Sequence, residues 1–283
     1  MPITIRRMEE RDIDFALEQT AREGWDIPVG GFEMHLRDDP EGCFIAERDG
    51  DRVAMITSTR YADLAFIGNL IVEPSSRRQG IGEMLMRRAM DCLWEQGISR
   101  LALEADPPGV KLYRKLGFTD AFESLRFEAL RPARPAASGV EDVQPLTGPD
   151  LATIARFDAR HFGSDRSPLL AALLDRAPAA FRTPCDGEVS GYVLTQTLED
   201  GVRIGPAVAV DRRASTALLE AVLAYLNAPR FTAGLPESNQ AGVLLLRARG
   251  FEPKPSCRRM VHGPERYHGN PRHVLAVAGG DRG

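Results

Sequence analysis

The spacing of apolar residues divides the chain into elements before any motif is weighed. An apolar run ending Leu70-Ile71-Val72 reads as a strand, and it stops at Glu73-Pro74 because proline cannot continue a hydrogen-bonded ladder. Further on, Leu85, Met86, Ala89, Met90, Leu93 and Trp94 recur at helical spacing, which predicts a helix over 83–94. Between the two lies a basic loop with two glycines, Ser75-Ser76-Arg77-Arg78-Gln79-Gly80-Ile81-Gly82. A short apolar strand follows at 100–105. After it come Asp106-Pro107-Pro108-Gly109 and a segment closing on Leu112-Tyr113-Arg114-Lys115-Leu116-Gly117-Phe118.

The pattern then recurs. Residues 131–139, rich in proline, suit neither helix nor strand and read as a linker. With a constant shift of 137, Phe181 to Ala209 align on Phe44 to Val72, so that Asp186-Gly187 matches the hairpin turn Asp49-Gly50 and Gly191-Tyr192-Val193 matches Ala54-Met55-Ile56. Downstream the shift is 133, matching Leu218 to Leu85 and Gly250-Phe251 to Gly117-Phe118. The four missing residues fall in the glycine loop. Arg213-Ala214-Ser215 stands where Gly80-Ile81-Gly82 would be, and Leu246 where Tyr113 would be, while Asn239 matches Asp106. The expected organisation is a first domain at 1–130, a linker at 131–139 and a repeat of its fold at 140–283 that has lost the loop. Val274 to Ala278 reads as a final strand.

Composition narrows the class. A length of 283 residues suits two domains, and a net charge of −4 argues against a broad nucleic-acid surface. Met1 to Arg7 carries no signal peptide and no apolar run approaches a membrane span, so no membrane partner and a cytoplasmic location are expected, for a monomer or homodimer. Cys43, Cys92, Cys185 and Cys257 are far apart without a ligand pattern, and the histidines between His262 and His273 fit none either; no metal is expected.

The loop's chemistry is anion binding. Glycines let the backbone approach a ligand, and the first amides of a helix point outward at the positive end of its dipole, with Arg77 and Arg78 adding charge. The dinucleotide fingerprint needs a third glycine and the P-loop a lysine, and both are missing. Arg77, Gly80 and Gly82 instead match an R/Q-x-x-G-x-G/A signature, and the ending L-Y-x-x-x-G-F at Leu112 to Phe118 matches its usual companion. On these two spaced motifs the chain resembles the GCN5-related N-acetyltransferase (GNAT) superfamily. The resemblance implies an α/β fold of two tandem GNAT-like domains, each a mixed, splayed β-sheet flanked by helices, with a degenerate second copy. It implies that Ile71, Val72, Arg77, Arg78, Gln79, Gly80, Ile81, Gly82 and Glu83 bind acetyl-CoA as the acetyl donor. One departure is Asp106, where the family often has asparagine.

The resemblance makes Tyr113 the general acid, its phenol of pKa about 10 facing a thiol of about 8.5; on residue type alone it would be a packing residue. A backbone N–H near Ile71 or Val72 is expected to polarise the carbonyl. Glu104, Glu73 and His35 are candidates for drawing off a proton, with solvated carboxylates and a structural histidine as the alternatives. For the acceptor side the candidates are Trp25, with a core role as the alternative, and Asp158, Phe162, Asp165 and Arg166 in a motif the resemblance brings from tandem members. There the alternative is a helix cap at Asp165 or Ser164 and an ion pair between Arg166 and Asp158. No cysteine sits in a motif for an acyl carrier, so the expected reaction is direct transfer of acetyl to a small-molecule amine. A non-catalytic acyl-CoA sensor and a protein or peptide N-acetyltransferase are the rivals.

Overall fold

The computed structural model describes residues 2–132, 143–185, 188–263 and 269–283. The linker expected at 131–139 lies outside these from residue 133 on, as does the turn Asp186-Gly187. The chain forms two compact units that are not contiguous in sequence. The first takes the chain to Thr119, regains it at Met260, and includes Gly280–Gly283; the second takes Asp120–Arg259 and a segment ending at Gly279.

In the first unit, β1 (Ile3–Arg7), β2 (Phe44–Arg48), β3 (Asp51–Arg60) and β4 (Leu64–Val72) form an antiparallel run, and β5 (Arg100–Ala105) joins β4 in parallel. The β2–β3 hairpin turns at Asp49 (φ 55°) and Gly50 (φ 90°), the left-handed pair that an Asp-Gly turn supplies. Helix α1 (Ile13–Arg22), α2 (Gly31–Asp38), α3 (Ile81–Glu95) and α4 (Val110–Lys115) complete it. The apolar stripe read from the sequence buries Leu85, Met86, Ala89, Met90 and Leu93 of α3 against Ala54, Ile56, Ala65, Ile67, Leu101 and Leu103. Met260 belongs to this core. The opposite face packs Phe15, Ala16 and Phe32 of α1 and α2 on Ile45, Met55 and Ile71.

The second unit contains β6 (Thr119–Leu130), β7 (Gln144–Pro145), β8 (Ala180–Cys185), β9 (Glu188–Leu198), β10 (Gly201–Ala209), β11 (Arg230–Pro236), most of β12 (Glu252–His262) and β13 (Val274–Ala276). Its helices are α5 (Leu151–Phe162), α6 (Ser167–Leu174), α7 (Arg212–Tyr225) and α8 (Gln240–Ala248). Strand β6 pairs with β11 from Arg230↔Leu130 to Pro236↔Ser124. The repeat is visible in the register. Ala54↔Val72 and Met55↔Ile71 in the first unit become Gly191↔Ala209 and Tyr192↔Val208 in the second, the shift of 137 read from the sequence. The irregularity between Met55 and Thr57 recurs as one between Ile204 and Ala207. Each unit is thus a mixed sheet with helices on it, the fold class expected.

Candidate active site

The site begins where two strands part. β4 and β5 pair at Leu64↔Arg100, Ala65↔Leu101 and Phe66↔Ala102 and then separate. The cause is a bulge at Asn69, which adopts φ 51° and whose side-chain amide donates to Thr57 Oγ1 at 2.9 Å. Asparagine tolerates this left-handed backbone, and one extra residue reverses the faces of everything after it. So Ile67 packs on the α3 side while Ile71, at a spacing that plain alternation keeps on one face, packs on the α1–α2 side. The Glu73 N–H donates to the Val53 carbonyl at 2.9 Å. By the alternation of an antiparallel ladder the Ile71 N–H also faces β3, and the Val72 N–H faces the gap that β5 has left. Of the two expected carbonyl polarisers, Val72 has its donor on the open side. Sequence reading missed Asn69; the signal was there in the break of alternation at Gly68-Asn69-Leu70.

The loop spans residues 73–80 and ends at Gly80, whose φ of 82° suits glycine and which caps α3 without a side-chain hydrogen bond. Met84 N–H already donates to the Gly80 carbonyl at 3.0 Å, leaving the amides of Ile81, Gly82 and Glu83 as the uncapped turn. Gly82 is demanded neither by its backbone nor by packing. A Cβ there would meet Val72, Leu112 and Leu70 at 3.6 to 3.9 Å, ordinary contact distance. A glycine weakens a helix by about 1 kcal/mol relative to alanine, so its place here fits a ligand that needs the backbone close. Arg77 is committed: its Nε donates to the Val72 carbonyl at 2.8 Å and its guanidinium pairs with Glu23, which folds the loop back on the strand end. Arg78, exposed and at φ 63°, has no protein partner among the described residues. Gln79 accepts from Arg48 at 2.7 Å, and the Glu83 carboxylate is held by Lys115 and Arg87 at 2.6 and 2.9 Å, so Glu83 offers its amide alone. Ile81 anchors the helix start in the core. The loop therefore presents the open amides of Ile81, Gly82 and Glu83 and the exposed Arg78 cation on one helix start.

Tyr113 stands on α4 with its ring over Gly109, where a Cβ would lie 2.7 Å from Cε2, and edge-on to Phe118 at 6.1 Å. Burial first, then the charge of Asp106, raises its phenol above the ordinary value, so it keeps its proton at neutral pH. Asp106 also accepts from Trp25 Nε1 at 3.1 Å, which ties the α1–α2 loop to the end of β5. The structure thus brings Trp25, Asp106 and Tyr113 into one neighbourhood, with Trp25 also packed on the α1–α2 core. Glu73, at the exit of β4, accepts from Gln19 at 3.3 Å and Arg22 at 3.5 Å. Glu104 lies on β5, on the face opposite Leu103 and Ala105, which pack with α3. His35 is buried, with Nε2 2.6 Å from Asp281 and Nδ1 3.2 Å from the Ser58 carbonyl. It is held as a structural group. Burial pushes the Cys43 thiol up to about 12 and raises that of Cys92, so neither supplies a thiolate to carry an acyl group.

The second unit places its own candidates differently. Asp158 and Arg166 are buried and paired through Nε and Nη2 at 2.8 and 2.9 Å, Tyr192 donates to the same carboxylate at 2.5 Å, and Arg166 lies 3.9 Å over the Phe162 ring. Asp165 accepts from the Ser167 amide at 2.8 Å at the start of α6. Phe162 lies under the guanidinium and Asp165 holds the first amide of α6, while Asp158 and Arg166 form the ion pair that was the alternative to a binding patch. Their charges answer one another, and the buried pair stands through geometry that satisfies both ions.

The second unit's counterpart of the loop is Val210 and Asp211 alone. Asp211 caps α7 by accepting from the Ala214 amide at 2.8 Å. The split after Ile204↔Ala233 is filled: β13 pairs with β10 at Ala207↔Ala276 and Val208↔Val274, and the Val277 amide donates to the Gly234 carbonyl of β11 at 2.7 Å. Leu246, in the place of Tyr113, is buried. Among the described residues no group of three or more His, Cys, Asp or Glu side chains is arranged to hold a metal, and no helix is long and apolar enough to cross a membrane.

Comparison with known proteins agrees with this geometry. Residues 6–118 match the model of the acetyltransferase (GNAT) family and residues 154–276 that of an acetyltransferase (GNAT) domain. Among curated relatives, the [ribosomal protein bS18]-alanine N-acetyltransferase of Salmonella typhimurium is 34% identical over 96 residues, 32% of this chain and 61% of that protein. The mycothiol acetyltransferase of Thermomonospora curvata is 32% identical over 98 residues, 33% of each. The chain spans a third to about three fifths of these relatives' length. In fold, a candidate acetyltransferase from Pyrococcus horikoshii superposes with a TM-score of 0.84 at 24% identity, over 99% of this chain and 96% of that one. A tandem GNAT protein from the clavulanic acid biosynthesis pathway gives 0.63 at 16% identity, over 93% and 100%. With both halves matched and the register repeated between them, the chain belongs to the GCN5-related N-acetyltransferase superfamily as a tandem of two copies.

Proposed function

We propose that the first unit is an acetyl-CoA-dependent N-acetyltransferase that passes the acetyl group directly to the amine of a small molecule, and that the second unit binds no acetyl-CoA. The observation that carries this is the uncapped start of α3 opening beside the β4–β5 split, where Gly82 keeps a cradle that a Cβ would fill. Acetyl-CoA, when bound, supplies an acetyl thioester. The amides of Ile81, Gly82 and Glu83 with Arg78 would hold its diphosphate, and the Val72 N–H faces the gap as a donor to a carbonyl oxygen. Tyr113 Oη keeps its proton and would be the donor to the departing thiolate. Because its pKa lies above that of a thiol, complete transfer from phenol to thiolate is uphill, and the proton moves only as charge builds on sulfur. The amine must shed a proton of its own, and Glu73 and Glu104 are the carboxylates on offer, either of them through water.

Relatives whose names specify a ribosomal protein and mycothiol span both protein and small acceptors. The small-molecule reading rests on Gly280 and Asp281, which lie against Glu104 of β5 and Gly68 of β4 beside the split. Calorimetry with acetyl-CoA and thiol release against a panel of amines and peptides test it. The expected result is binding at one site per chain and turnover with small amines; tight binding without turnover on any amine would establish a sensor.

A further inference from the structure

The α3 face of the split is filled by the main core, so an amine reaches the split from the opposite face, where Trp25, Glu104 and Asp106 lie. That face already holds a piece of the chain itself. Residues 280–282 belong to the first unit; Gly280 is exposed, while Asp281 and Arg282 are buried there, to 8% and 2% exposure. Asp281 lies on Gly68 of β4 so closely that a Cβ at Gly68 would sit 2.5 Å from Asp281 Cβ and 2.7 Å from its Cα. Gly280 lies over β5, its Cβ direction 3.6 Å from Glu104 Cβ. The segment therefore bridges the two strands just past their last pair, Phe66↔Ala102.

Its docking is specific. His35 Nε2 meets the Asp281 carboxylate at 2.6 Å, Tyr61 donates to the Arg282 carbonyl at 2.6 Å, and Arg282 donates to the Gly31 carbonyl at 2.6 Å. Thr59 Oγ1 lies 3.4 Å from the Asp281 carbonyl. An extended acceptor would use the strand edges that the split leaves open, as added strands do. The tail lies across that path.

We propose that Gly280, Asp281 and Arg282 form a specificity-determining wall, which closes the narrow end of the split on the acceptor face and restricts acceptors to small amines by shutting out extended polypeptide. This rests on the transferase reading above. Two variants displace the wall by different means. Asp281→Ala with Arg282→Ala removes its contacts, and Gly68→Ala pushes it off while keeping every group. The measurement is kcat/KM for an amino-acid amide and for a hexapeptide beginning with the same residue, with hydrogen exchange at residues 280–283 reporting release of the segment. The intact chain should prefer the amide by tenfold or more, and release should narrow that preference at least tenfold through the KM of the hexapeptide. Equal use of both acceptors by the intact chain, or an unchanged preference in a variant whose segment exchanges freely, would overturn the proposal. Coenzyme binding without turnover on any amine would instead overturn the transferase reading, and this one with it.

Discussion

Two helices at corresponding places in the repeat, α3 and α7, show how one fold leaves the first amides of a helix open or satisfies them from within. Both follow a strand with the same bulge in the same register. Before α3 the chain takes residues 73–80 to arrive and caps the helix with a glycine, leaving its first amides outward. Before α7 it takes two residues and caps with Asp211, whose carboxylate occupies the position an external anion would need. The neighbouring split follows suit: β4 and β5 stand apart past Phe66, whereas β13 fills the gap between β10 and β11. Closing a helix start and a strand split therefore needs no change of fold. A carboxylate and a strand of the same chain stabilise what a ligand otherwise would.

The largest effect that would sharpen this contrast is in the second unit. Asp158→Ala strands the Arg166 guanidinium in the interior and should cost about 3–5 kcal/mol in denaturant unfolding, with acetyl-CoA affinity of the folded protein unchanged. A parallel loss of affinity would show that the copies share one site. In the first unit, Tyr113→Phe should slow turnover by about 100-fold, the lower end for a general acid because water can also protonate a thiolate, with coenzyme affinity altered less than about twofold. Gly82→Asp imitates the second copy by setting a carboxylate at the start of α3; calorimetry should show acetyl-CoA binding weakened by about thirtyfold, about 2 kcal/mol. Asp211→Ala should cost about 1 kcal/mol of stability as a lost cap and confer no coenzyme binding, since β13 still fills the split. The smallest effect is on pH dependence. An acid must be protonated to act, so its contribution falls as pH rises through its pKa, and burial with Asp106 holds that above the ordinary value of about 10. The rate should show no fall due to Tyr113 up to about pH 9.5; a fall near pH 8 that Tyr113→Phe abolishes would show that its site lowers the phenol's pKa instead of raising it.

Much of this contrast was legible in the sequence because it is local. Glycines at 80 and 82, a proline ending a strand and helical spacing after it each act within a few residues, and the shift of 137 survives as strand register. What was not legible depends on distant pairing. Nothing near residue 125 marks β6 as a partner of β11, and nothing in Gly280-Asp281-Arg282 points to His35 or Gly31. The motif at Asp158 and Arg166 gave residue types without burial, and a buried ion pair and a binding patch share those types until the interior is known. Asn69 lay between the two cases, since its alternation break was visible and its left-handed backbone was not.

The return of Met260 and of Gly280–Gly283 to the first unit bears on how the protein is made. A ribosome that has passed Thr119 has released every motif of the coenzyme loop, yet about 160 further residues must emerge before that unit receives its remaining segments, on the order of ten to thirty seconds at ordinary elongation rates. The half bearing Tyr113 thus stays incomplete through most of translation, and a nascent chain arrested near residue 250 should be cut readily by protease within residues 1–119.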